Sequence, residues 1–68
     1  MIREAEDFLT SFLKINGYLR VRFFHDIGII EINRDEIYKI MDINNFEIIG
    51  KKFKDMGFKK CTLRMDNI

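Results

Sequence analysis

Two strand-like segments separated by two residues constrain the fold of this 68-residue chain more than any other feature. Residues 18–24 (YLRVRFF) alternate in polarity with the period of a β-strand, and residues 27–32 (IGIIEI) form a second, apolar strand. His25 and Asp26 are the two residues between them. Because so short a connection permits only antiparallel pairing, we expect a β-hairpin over residues 18–32.

Helical patterns are present on both sides of the hairpin. Before it, apolar residues recur at helical spacing over about residues 3–15, and Asn16-Gly17 is a terminator that tolerates left-handed backbone. After it, Asn33 and Glu36 have the spacing of a capping box. This spacing predicts that a short helix begins there.

The last part of the chain predicts one more helix and one more strand. A period of 3.6 continues over about residues 44–56 and Gly57 follows it, whereas residues 60–65 alternate in polarity. The order α-β-β-α-α-β predicts a small α+β sandwich, with the helices packed on one face of a three-stranded sheet. We expect a right-handed crossover into the last strand and the strand order 2-1-3, which puts the last strand beside the first.

Length and composition exclude several classes of protein. Residues 1–68 provide one small domain, which is too short for a complete ATP-binding or dinucleotide-binding fold. One cysteine cannot form a disulfide framework, and one cysteine with one histidine cannot by themselves form a zinc site. No run approaches 18 apolar residues and the N-terminus is acidic, so we expect neither a membrane span nor a signal peptide, and a cytoplasmic location.

Charge is distributed unevenly along the chain. The formal net charge is +1, but residues 1–50 carry six basic and nine acidic side chains, and residues 51–68 carry six basic and two acidic ones. We interpret the basic end as a solvated helix face and a lysine-rich strand in preference to an anion-binding surface. The low net charge does not favour a polyanion as the partner of the whole chain.

Arg20 and Arg22 are the most informative local candidates for a binding site. Period-two spacing places both guanidinium groups on one face of the first strand, roughly 7 Å apart at the backbone. Two parallel guanidinium groups at that spacing can donate hydrogen bonds to a phosphate or a pyrophosphate. A solvated strand face paired with acids such as Glu31 explains the same spacing and is the simpler interpretation. For His25 and Cys61 we likewise prefer an ordinary polar turn and a small buried hydrophobe over a metal ligand and a reactive thiol.

Residues 48–53 (IIGKKF) are weakly similar to the Gly-x-x-Gly loop of KH nucleic-acid-binding domains. Phe53 occupies the second glycine position, where a side chain keeps the backbone away from phosphates. This similarity and the basic end of the chain make a small KH-like nucleic-acid-binding module one alternative function. The other is a protein–protein interaction domain, in which the apolar second strand (residues 27–32) pairs with another chain.

Several stretches, taken in order, resemble a known family. They are residues 17–22 (GYLRVR), Asp26-Ile27, Ile30-Glu31-Ile32 and residues 56–63 (MGFKKCTL). Together they resemble the C-terminal domain of the ATP-dependent sacrificial sulfur transferases that act in lactate racemase maturation and nickel-pincer cofactor biosynthesis. These enzymes belong to the PP-loop superfamily, and the resemblance covers about residues 8–65.

The resemblance implies an accessory C-terminal domain of a larger ATP-utilising enzyme, with no catalytic residue and no metal ligand of its own. It implies that Arg20 and Arg22 hold a phosphate or substrate and that Asp26 and Glu31 occupy supporting acidic positions. ATP and Mg would belong to the parent enzyme, and this chain would hold no cofactor. The implied partners are the N-terminal ATP-binding domain, other subunits and a phosphate-containing small molecule, whereas neither nucleic acid nor a membrane is implied.

Overall fold

A three-stranded sheet and the helices around it form the fold of residues 1–64, which a computed structural model describes. The elements are α1 (Ile2–Leu13), β1 (Leu19–Phe24), β2 (Ile27–Ile32), a 3-10 helix (Arg34–Lys39), α2 (Ile43–Asp55) and β3 (Lys60–Leu63). The predicted α+β class is confirmed. Residue 65, which we assigned to the last strand, lies outside the described residues. Within residues 1–64 no helix is long and apolar enough to cross a membrane.

The predicted hairpin is present. β1 and β2 pair in the antiparallel sense from Leu19 opposite Ile32 to Phe24 opposite Ile27. The two turn residues both have positive φ, 48° at His25 and 66° at Asp26. Positive φ at both central positions matches the turn to the twist of the flanking strands, and aspartate is among the residues that tolerate it.

The strand order differs from the predicted 2-1-3. The observed order is β1-β2-β3, with β3 parallel to β2 from Ile27 opposite Lys60 to Ile30 opposite Leu63. The side of β1 where we expected the last strand has no paired strand within residues 1–64, and there the Glu6 carboxylate of α1 accepts a hydrogen bond of 2.9 Å from the Val21 backbone N–H. β2 is therefore the central strand and not an edge that could pair with another chain.

One face of the sheet carries the hydrophobic core. Val21, Ile30 and Ile32 are 1–3% exposed, and they share one cluster with the buried residues of both helices. The cluster consists of Ala5, Leu9, Leu13, Ile15, Val21, Ile30, Ile32, Ile40, Ile49, Phe53 and Phe58. Its strand members all lie on the same side of the pleat, which confirms that the helices pack on one face of the sheet.

The predicted capping box does not form. Asn33 precedes the 3-10 helix but makes no side-chain cap hydrogen bond. The Glu36 carboxylate instead accepts hydrogen bonds from the backbone N–H groups of Asn16 (2.9 Å) and Gly17 (2.7 Å), from Asn33 Nδ2 (2.7 Å) and from Lys39 Nζ (2.8 Å). Glu36 thus joins the loop after α1 to the 3-10 helix. The Lys39 contact, followed by these amide donors, lowers the pKa of Glu36 from 4.5 to about 2.

We expect this carboxylate to make the fold sensitive to acid. Since its pKa is lower in the folded chain, its stabilisation is complete above pH 4.5 and is lost as the pH falls towards about 2. Urea midpoints measured between pH 7 and pH 2 should therefore decline over that range. Glu36→Gln should lower the midpoint at pH 7 and flatten the decline, whereas Glu47→Gln, at an exposed position of α2, should do neither. An unchanged pH profile in Glu36→Gln would contradict this role.

Gly50 lies inside α2, where a glycine weakens a helix. A Cβ atom built on Gly50 meets no atom within 4 Å. We therefore expect Gly50→Ala to raise the free energy of unfolding by about 0.5–1 kcal/mol in a urea titration. Gly57→Ala is the matched control and should be destabilising, because Gly57 has a φ of 108°. If Gly50→Ala instead lowered the free energy of unfolding, the added methyl group would have to clash with another atom of the protein in solution.

Candidate functional site

Arg20 and Arg22 lie on the face of the sheet that the helices leave open. Val21, between them, is buried in the core, and both arginines are exposed on the opposite side of β1. This confirms the prediction that they share one face. Arg20 makes no side-chain hydrogen bond or ion pair within residues 1–64, in contrast to Arg22.

A buried glutamate organises the middle of this open face. Glu31 is 3% exposed, and its carboxylate accepts hydrogen bonds from Tyr18 Oη (3.0 Å) and Arg64 Nη1 (2.7 Å). Arg22 Nε lies 3.3 Å from Glu31 Oε1. The hydrogen bond from Arg64 is the largest cause of a lowered Glu31 pKa, which Tyr18 and Arg22 lower further against the effect of burial. Glu31 is therefore a charged acceptor that fixes the positions of its three neighbours.

Arg22 is held in place without being covered. Its side chain is 62% exposed although its Nε contacts Glu31. Hydrogen bonding and charge from Glu31 raise its pKa above the ordinary arginine value, so it is a permanent cation. Since a guanidinium carries five N–H donors, the contact with one carboxylate leaves donors for a ligand. The interpretation of a strand face paired with Glu31 is thus correct for Arg22 and does not apply to Arg20.

An open cleft of about 600 Å³ lies between the first half of α1 and β1. Three arginines, Arg3, Arg20 and Arg22, line it together with two acids. One of these acids, Glu6, is engaged by the Val21 N–H. The full lining is Ile2, Arg3, Glu6, Asp7, Arg20, Val21, Arg22 and Phe23. The cleft therefore combines guanidinium groups with a partly apolar wall.

Asp26 does not join this site. It lies in the hairpin turn, where its carboxylate is 3.7 Å from Lys59 Nζ and its carbonyl accepts from the Lys59 N–H at 2.8 Å. Both contacts tie the turn to the residue before β3. Among the residues with predicted supporting roles, Glu31 contacts a site arginine and Asp26 contacts a lysine instead.

The remaining candidates have ordinary environments. The His25 ring stands against Phe24 at a centroid distance of 4.2 Å, in the exposed turn. Burial raises the pKa of the half-buried Cys61 thiol to about 11, so this thiol is protonated at neutral pH. Within residues 1–64 no group of three or more histidine, cysteine, aspartate or glutamate side chains could hold a metal ion.

The KH-like loop is absent. Gly50 to Phe53 lie inside α2, which runs without interruption from Ile43 to Asp55. A Gly-x-x-Gly loop has to leave the helix to bring its backbone to a phosphate, and here the backbone groups are used within the helix. Phe53 is 0% exposed and is a core residue. One of the two observations behind the nucleic-acid alternative, the KH-like loop, is thereby removed, and the other is the basic composition of residues 51–68.

Sequence reasoning missed Tyr18, Glu6 and Arg64 as parts of the site. The alternation over residues 18–24 puts Tyr18 on the same strand face as Arg20 and Arg22, and the hairpin register puts Glu31 there too, so this contact could have been predicted. Arg64 reaches Glu31 across 33 positions of the chain, through the pairing of β3 with β2. Glu6 reaches Val21 because α1 lies against β1. No local pattern signals either of these two contacts.

The fold and the site define a small α+β domain with an arginine-bearing open sheet face. No protein-family model matches the chain. It is similar to the uncharacterized protein MJ0830 of Methanocaldococcus jannaschii, with 45% identity over 65 residues. The match covers 96% of this chain and 24% of the relative, so the chain spans about a quarter of the length of the curated relative it matches.

Proposed function

We propose that the chain is an accessory domain of a larger PP-loop ATP-utilising enzyme, similar to the C-terminal domain of the sacrificial sulfur transferases. Its role in such an enzyme is to contact a phosphate group through Arg20 and Arg22 and to pack against another domain or subunit. The single observation that carries the proposal is the convergence of three arginines on one open cleft. The match to a segment of a longer relative supports the accessory role.

The arrangement of the two guanidinium groups supports phosphate contact. Arg22 is oriented by Glu31, so it loses little side-chain freedom when it binds an anion. Arg20, on the same face, makes no ion pair or side-chain hydrogen bond within residues 1–64. The oriented guanidinium group of Arg22 and the unbonded one of Arg20 can together donate hydrogen bonds to several oxygens of a phosphate. In this proposal ATP and Mg are bound by the N-terminal domain of the parent enzyme, and this chain has no catalytic activity alone.

The test is a titration of the 68-residue chain with AMP and with pyrophosphate at low salt, followed by amide NMR. Shifts should concentrate at residues 20–22, at Glu31 and at Arg3. Arg20→Gln should weaken binding by about tenfold or more, because it removes a charge-assisted hydrogen bond. This substitution leaves the Glu31 cluster intact, whereas Arg22→Gln also disturbs it.

Lys54→Gln is the matched control, since it removes one exposed positive charge from α2, away from the cleft. It should leave the affinity unchanged apart from a small effect of net charge. Shifts spread over the lysines of residues 51–60, with Arg20→Gln and Lys54→Gln equally weakened, would contradict a phosphate site in the cleft. They would indicate binding of anions to the basic end alone.

A further inference from the structure

An apolar groove lies between α2 and β3, on the opposite side of the sheet from the arginine face. It has a volume of about 270 Å³. Its lining is Ile30, Ile40, Phe46, Ile49, Gly50, Cys61, Thr62 and Leu63. Among the lining side chains Phe46 is 47% exposed, and two apolar residues shortly before it in the chain, Met41 and Ile43, are 58% and 69% exposed. An apolar surface of this kind is typical of a contact with another polypeptide.

Gly50 keeps the helical wall of this groove open. A Cβ atom at this position meets nothing, so no contact within residues 1–64 requires a glycine here. The glycine nevertheless weakens α2 relative to alanine. A missing side chain in the wall of an apolar groove allows another backbone to approach the helix closely.

β3 provides the other wall and a free strand edge. Within residues 1–64 it pairs with β2 alone, so its other edge has unpaired backbone groups. An edge strand beside an apolar helix-lined groove is the geometry of β-strand addition. In that mode main-chain hydrogen bonds give affinity and alternate side chains enter the groove.

The charges around β3 specify the chemistry of the added strand. Cys61 and Leu63 stand opposite Gly28 and Ile30 in the register of β2 and β3, on the core side of the sheet, so Lys60 projects from the opposite face of β3. Residues 51–64 carry six exposed basic side chains and a single acidic one, Asp55. An added strand would therefore meet an apolar surface with one set of side chains and a basic surface with the other.

We propose that this groove binds an extended segment of a partner protein in which apolar and acidic residues alternate, and that the segment adds to β3 as a fourth strand. The apolar residues enter the groove beside Gly50, and an acidic residue faces Lys60. The inference rests on the packing role proposed above and is independent of the phosphate contact.

The probe is a capped seven-residue peptide of alternating isoleucine and glutamate, with the isoleucine–lysine peptide as its counterpart. The glutamate peptide should shift the amides of residues 46–50 and 60–64 and should bind at least about tenfold more tightly than the lysine peptide. Gly50→Leu places a side chain in the groove, where a Cβ atom meets no other atom, and should abolish binding while α2 remains folded. Lys60→Glu should reverse the preference between the two peptides, whereas Arg34→Glu, an exposed reversal outside this region, should not.

Equal affinity for the two peptides, unchanged binding to Gly50→Leu, or no shifts at millimolar peptide would each overturn the proposal. Shifts of the same residues with protein concentration alone, together with a dimer in sedimentation, would assign the groove to a second copy of the chain instead. The AMP titration reports on residues 20–22, so failure of the phosphate contact and failure of this groove are distinguishable.

Discussion

Phe53→Ala will lower the free energy of unfolding by about 3–5 kcal/mol. Phe53 is 0% exposed, and its ring stacks on that of Phe58 at a centroid distance of 5.0 Å. Truncation to alanine removes the transfer free energy of the ring and leaves a cavity between α2 and the sheet. A domain of this size has a small total stability, so most of the variant should be unfolded in buffer at 25 °C.

Circular dichroism during a urea titration will measure this effect. Phe24→Ala is the matched control, because Phe24 is 60% exposed beside the hairpin turn. This control should change the free energy of unfolding by less than about 1 kcal/mol. Equal losses in the two variants would contradict a core centred on Phe53. A helical signal retained without a cooperative transition would indicate that the core had lost its fixed packing.

Gly28→Ala should cost about 1–3 kcal/mol, because it overpacks the same core. A Cβ atom at Gly28 would lie 2.9 Å from Phe53 Cδ2 and 3.0 Å from Phe58 Cδ1. Real contacts of this kind are longer, so one of the rings or the central strand has to move. Both rings belong to the core, which has little room for such a movement.

A double-mutant cycle will separate this contact from other effects of alanine in a strand. In a Phe53→Leu background the side chain that meets the new Cβ is smaller, so Gly28→Ala should cost less than it does in the wild-type chain. A difference of about 0.5 kcal/mol or more is expected for residues in direct contact. An equal cost of Gly28→Ala in the two backgrounds would show that this cost arises from another contact, for instance with Phe58. Gly17→Ala provides no such control, because its own Cβ would meet Asn33 Nδ2 at 2.6 Å.

Local patterns predicted the elements but not their arrangement in the sheet. The short connection at His25 and Asp26 was sufficient for the hairpin, because it permits a single sense of pairing. The strand order depended on which strand β3 would join, and a sequence pattern does not encode long-range contacts such as the hydrogen bond from the Val21 N–H to Glu6 on the β1 side. One signal was available: β2 is apolar at nearly every position, which is typical of a central strand.

For the candidate site, local patterns likewise predicted which residues share a face but not which residues contact one another. Period two was enough to place Arg20 and Arg22 on one open face. The contacts that distinguish them arise from pairing between distant segments, since Arg64 reaches Glu31 only through the β2–β3 register. The spacing of Asn33 and Glu36 indicated a local capping box. The loop at Asn16 and Gly17 instead supplies backbone donors to the Glu36 carboxylate.

The hydrogen bond between Glu6 and Val21 has a consequence for growth of the sheet beyond one molecule. A sheet with two free edges can add neighbours on both sides, and such contacts propagate into fibres. Within residues 1–64 the Glu6 carboxylate of α1 engages the Val21 N–H on the β1 side, whereas β3 has no second neighbouring strand, so the β3 side is the more open to another strand. Edge-to-edge pairing through β3 alone joins two molecules into a closed pair, whereas two open edges would permit a polymer.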